Sequence, residues 1–178
     1  MESPDYDSYE TRGALVAYTA RAMNLSDASS PLKQLGKTPW KFQRTLRTPV
    51  RNIPPFVSTI LASVPSLQAA RVTIETTAFE PEHLLDLLTR HSLPRQYKKG
   101  TSVLAEGQRE IEELVCAVFS DWMDFLLVPT PKPFVIYADH DEYATFYANT
   151  RSNLNRVTDA LLAEGIEEVS GYQRQGLR

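Results

Sequence analysis

The chain has 178 residues, 42% of them hydrophobic and 23% charged, and carries a formal net charge of −3. That length suits one ordinary core, since domains most often run to about 100–150 residues, and the composition excludes intrinsic disorder. The lone Cys116 excludes an internal disulfide, and no apolar run reaches the roughly 18 residues that a membrane-spanning helix needs.

The start, Met1-Glu2-Ser3-Pro4-Asp5-Tyr6-Asp7, has neither a basic n-region nor an apolar h-region. The expectation is therefore a soluble, cytoplasmic protein with one α+β domain over residues 1–178. In that compartment the sequon letters Asn24-Leu25-Ser26 are read as chance. Charge is spread unevenly: residues 28–74 hold seven basic and no acidic side chains, whereas residues 75–178 hold ten basic and seventeen acidic ones. Such asymmetry points to a polyanion-facing surface or to electrostatic pairing between segments of the chain.

The first helix is expected from Asp7 or Ser8, where Glu10 completes a capping-box pattern and Thr11, Leu15, Tyr18, Ala22 and Leu25 form a stripe. Asn24 to Ser30 reads as loop. Residues 31–55 are ambiguous. Thr38 can cap a helix with Pro39 in its first turn, placing Lys37, Lys41 and Arg44 on one face. The same letters alternate as a strand with Trp40, Phe42 and Leu46 inward, a pattern that Arg44 breaks; of the two, we take the helix. Phe56, Ile60, Leu61 and Val64 suit a short buried helix stopped before Pro65.

Arg71 to Ala78 alternates as a strand around Val72 and Ile74. Pro81 opens a helix with Leu84, Leu87, Leu88 and His91 on one face. The clearest helix lies at about 107–123, where Ile111, Leu114, Val115, Val118, Phe119 and Trp122 keep the helical rhythm. Beyond it the period shortens: 125–128, 134–138 and 143–148 read as strands joined by hairpins. A helix capped near Asn149 to Ser152 follows, with Leu154, Val157, Leu161 and Leu162 inward, and then an edge strand over 166–172. The fold expectation is α+β, with a short, mostly antiparallel sheet of about four or five strands in the C-terminal half, packed on several helices.

Asp139-His140-Asp141-Glu142 is the densest group of proton-handling side chains. Such residues can hold a divalent cation or act as general acid and base. Four consecutive residues do not converge on one ion, however, and Asp forms turns through its own backbone hydrogen bonds, so a polar turn is the preferred reading. Lys37, Trp40, Lys41, Arg44 and Arg47 are the candidate anion-binding set, combining cations for phosphates with an aromatic face for stacking. Against this, the whole chain has a pI of about 5.7, and pairing with the acidic C-terminal part is the preferred reading.

His83 and His91 stand eight positions apart, too far along one helix for a shared metal, and Cys116 flanks a core stripe as a small buried thiol. Tyr137, Tyr143 and Tyr147 are candidates for contact with a partner if one face of the C-terminal sheet is open. No metal or cofactor is expected. The functional expectation is a non-catalytic protein-binding module, of inhibitor, adaptor or immunity type, with a protein partner. The alternatives are a hydrolytic or transfer enzyme acting on an anionic substrate through residues 139–142, with or without a divalent metal, and a nucleic-acid binder using the basic 33–51 segment.

Overall fold

The computed structural model describes residues 23–172. In chain order the elements are β1 (Asn24–Asp27), α1 (Pro31–Gly36), β2 (Phe42–Arg47), α2 (Ile53–Ala62), β3 (Ala69–Thr77), α3 (Glu82–Arg90), β4 (Thr101–Glu106), α4 (Gln108–Ser120), β5 (Met123–Thr130), β6 (Val135–Ala138), β7 (Tyr143–Ala148) and α5 (Arg151–Ala163). The strands form one seven-stranded sheet in the order β1-β4-β3-β5-β6-β7-β2, and every neighbouring pair is antiparallel.

Alternation along the strands divides the sheet into two unlike faces. One face carries Val72 and Ile74 of β3, Val103 and Ala105 of β4, Phe125 and Leu127 of β5, Ile136 of β6 and Phe146 of β7, all in the principal core. Helices α4 and α5 lie against it, α2 packs on both, and α3 packs on α4. Phe119 bridges the layers, meeting Phe56 and Phe125 edge-on at ring separations of 5.2 and 5.0 Å, the arrangement that aromatic quadrupoles favour. Among the described residues the other face has a thinner cover. There α1 and Trp40 close a second apolar cluster of Leu35, Leu126, Val135, Tyr137 and Tyr147.

Glu75 ties α1 down. It accepts hydrogen bonds from the Ser30 hydroxyl at 2.7 Å and the Leu32 N–H at 3.4 Å, and it pairs with Lys99. Burial pushes the Glu75 carboxyl up, but Lys99, Ser30 and Leu32 outweigh it and hold the group below the usual carboxylate range. A shift in the β3–β5 register between Ile74 and Thr76 sets Glu75 in an irregularity of the strand, where a β-bulge re-aims a side chain.

The α+β reading stands, but the sheet is not confined to the C-terminal half: β1 to β3 come from earlier in the chain and the two edge strands, β1 and β2, from its first 47 residues. The helix expected around Thr38 is instead strand β2. Phe42, Arg44 and Leu46 share its helix-covered face, and Arg44 is tolerated there because its guanidinium donates to Thr158, Asp159 and Glu168. The helix expected over residues 7–25 falls mostly outside the described residues, and at its end Asn24 and Leu25 stand in β1. The expected edge strand after Gly165 amounts to a single bridge between Leu46 and Glu168. No helix among the described residues is long and apolar enough to cross a membrane.

Candidate functional site

Register brings four chain segments to one end of the sheet. Arg47 faces Tyr143, Ala138 faces Phe125, and Thr77 faces Met123. The turn 139–142, the exit of β2, the exit of β3 and the start of β5 therefore lie side by side. The backbone continues the ladder there, with Thr48 N–H donating to Glu142 O at 2.9 Å.

At the centre of this end, the Asp139 carboxylate shapes the turn. Its Oδ1 accepts the Asp141 N–H at 3.0 Å and the Tyr143 N–H at 3.1 Å, and its Oδ2 accepts the Tyr172 hydroxyl at 2.8 Å. Asp139 is only 6% exposed, so these donors replace water around a buried carboxylate. Tyr172 in turn packs on Tyr143 at 4.4 Å between ring centroids. The Arg47 guanidinium lies 5.8 Å from the Tyr143 ring centroid and pairs with Glu142 at 3.3 Å and Glu167 at 3.5 Å. Such partly exposed pairs fix geometry more than they stabilise.

His140 is held by β5. Asp124 Oδ1 accepts the His140 backbone N–H at 2.8 Å and lies 2.7 Å from its ring Nδ1. Nε2 lies 3.8 Å from Asp141 Oδ1. The hydrogen bond to Asp124 raises the imidazole pKa; burial opposes it, and the negative charges of Asp124, Asp141 and Asp139 reinforce it. The same clamp recurs at His83, whose backbone N–H and Nδ1 lie 3.1 and 2.6 Å from Asp121 Oδ1, while Asp121 Oδ2 accepts the Leu84 N–H at 2.8 Å. Asp121 thus caps the first turn of α3, a role that its own N-cap residue, Pro81, does not fill.

Two large apolar side chains stay exposed among the described residues, Val50 at 65% and Phe79 at 69%. Both stand at this end, Val50 after β2 and Phe79 after β3. Glu80 and Glu82 follow Phe79, and Asp141 and Glu167 project nearby with 71% and 76% of their side chains exposed. Val50 and Phe79 are what a reading of the sequence misses. An isolated apolar letter in a loop is ordinary, and only the strand register shows that the two share one surface.

The other sequence candidates are scattered. Arg44 and Arg47 are engaged with Asp159, Glu168, Glu142 and Glu167, and Lys37 and Lys41 are exposed away from this end. Trp40 sits on the second face, its Nε1 donating to Leu35 O at 3.1 Å. Tyr137 and Tyr147, at 1% and 3% exposure, are interior beneath α1 and Trp40, so of the three tyrosines only the half-buried Tyr143 reaches this surface. His91 lies 3.6 Å from Glu113, not beside His83. The Cys116 thiol is pushed up to about 11 by burial, with Glu112 adding to the effect, which keeps it protonated at neutral pH. Among the described residues no three His, Cys, Asp or Glu side chains gather as a metal ion would require.

No family model, curated protein or solved structure gives a significant match to this chain.

Proposed function

We propose that the chain is a protein-binding module that docks through the end of the sheet bearing Val50, Phe79 and the 139–142 turn. The observation that carries this reading is the placement of the two exposed apolar side chains on either side of an acid-rich turn whose buried carboxylate and histidine are engaged internally. Apolar anchors supply affinity once they are desolvated, and surrounding charges set approach and register. With Glu80, Glu82, Asp141 and Glu167 around the anchors, the complementary partner presents basic side chains about an apolar centre. A role for this chain as an inhibitor, adaptor or immunity-type protein toward such a partner fits that description.

The test is affinity capture with the whole chain as bait, beside Val50→Ser with Phe79→Ser, Asp141→Lys, and Lys41→Ala at the opposite end of the sheet. The expected result is a stoichiometric protein partner that is kept by Lys41→Ala, lost by the double variant and weakened by Asp141→Lys and by added salt. Recovery of no such partner, or one that binds all variants equally, overturns the reading.

One observation favours a second reading, a hydrolytic or transfer enzyme acting on an anionic substrate. Asp124 holds Nδ1 of the partly exposed His140 imidazole, the orienting contact that a general base requires. Turnover of phosphate or carboxylate esters that is abolished by His140→Ala and by Asp124→Asn supports it, and turnover unchanged by both removes it.

A further inference from the structure

The thin cover on the second face leaves a cleft of about 180 Å³ between α1 and the sheet. Leu126 and Val128 of β5 form its floor, Leu35 and Trp40 its wall, and Arg71 of β3 and Lys132 of the β5–β6 turn also line it. No carboxylate lines it.

The cations of this cleft differ from those at the sheet edge. Arg44 on β2 is saturated by Thr158, Asp159 and Glu168. Arg71, half-buried, donates to the Ser102 hydroxyl at 3.3 Å, and neither it nor Lys132 forms an ion pair among the described residues. Lys132 Nζ stands 5.9 Å from the Trp40 ring centroid, and the hydrogen bond from Trp40 to Leu35 O pins the indole. A guanidinium offers a planar fork suited to a carboxylate, and an indole beside aliphatic side chains offers a flat apolar wall.

We propose that this cleft binds a small aromatic carboxylate, its ring between Trp40 and the Leu126–Val128 floor and its anionic group on Arg71 and Lys132. Size fits the class: a cavity of about 150 Å³ holds a benzene ring, so the space here takes one ring with its carboxylate at the rim. The site lies on a different surface from Val50 and Phe79 and does not depend on the protein-binding reading.

The experiment is a titration of the full chain with sodium benzoate, following the indole N–H resonances of Trp40 and Trp122. The expected result is a saturable shift at Trp40 with Trp122 unmoved. Benzylamine, which has the ring but the opposite charge, leaves Trp40 unshifted. Arg71→Gln lowers benzoate affinity roughly tenfold or more, as removal of a charged hydrogen-bond donor does. Lys132→Glu, on an exposed turn where folding is not at stake, lowers it by about tenfold as well. The proposal is overturned by the absence of a saturable shift at Trp40, by benzylamine binding as well as benzoate, or by wild-type affinity in Lys132→Glu.

Discussion

The two faces of the sheet solve the same problem with unequal means. On the helix-covered face four helices supply a predominantly apolar layer, and the aromatic column Phe56–Phe119–Phe125 runs through it. On the other, among the described residues, a six-residue helix and one tryptophan cover four buried side chains of the sheet, Leu126, Val135, Tyr137 and Tyr147. Around them the strands carry polar groups that satisfy one another in pairs, Thr45 with Thr145 at 2.9 Å and Thr73 with Ser102 at 3.3 Å. A thick cover excludes water and demands apolar residues, whereas a thin one leaves polar groups to pair across strands and leaves room beside them.

Substitutions can break or sharpen that contrast. Phe125→Ala, in the thick layer, is expected to cost about 3–5 kcal/mol in urea unfolding. Leu35→Ala, in the thin layer, should cost about 2–3 kcal/mol, the low end of the range for buried leucines, because a short helix can settle into the space. Equal losses at the two positions would erase the distinction. Asp121→Ala, which uncaps α3 within the helix layer, should cost about 1–2 kcal/mol, seen as early loss of hydrogen-exchange protection in 82–90.

The smallest effect belongs to His140, whose folded pKa is raised by Asp124. Its unfolded value is near 6.5, so its contribution is complete below about pH 6.5 and is lost as pH rises through the folded pKa. At 41% side-chain exposure solvent screens it, leaving a fraction of about 1 kcal/mol. His140→Gln should therefore destabilise more at about pH 5.5 than at about pH 8.5, and a gap that does not change with pH contradicts the ion pair.

Helical rhythm made α3, α4 and α5 legible and alternation did the same for β3, because there the apolar letters mark one face. Strands β5, β6 and β7, buried on both faces, stood out instead as short apolar runs bounded by turn letters. Strand β2 was hidden by Arg44, a charge on the helix-covered face whose acidic partners lie 115 and 124 residues away. Strand β4 was hidden because Thr101 and Ser102, among its first residues, are small, polar and yet buried, with Ser102 satisfied across strands by Thr73 and Arg71. The 139–142 turn could be read from its composition. The Asp124–His140 clamp and the surface shared by Val50 and Phe79 could not, since both exist only once strand register is set.

Both rims of the sheet, β1 and β2, come from the earliest strands of the chain, while their hydrogen-bonding neighbours β4 and β7 come later. During synthesis β2, complete at Arg47, therefore waits for β7, which ends at Ala148, an interval of roughly 5–20 s at ribosomal rates. Throughout it Phe42 and Leu46 are without their sheet, and a nascent chain in that condition is a natural client for chaperones at the ribosome exit.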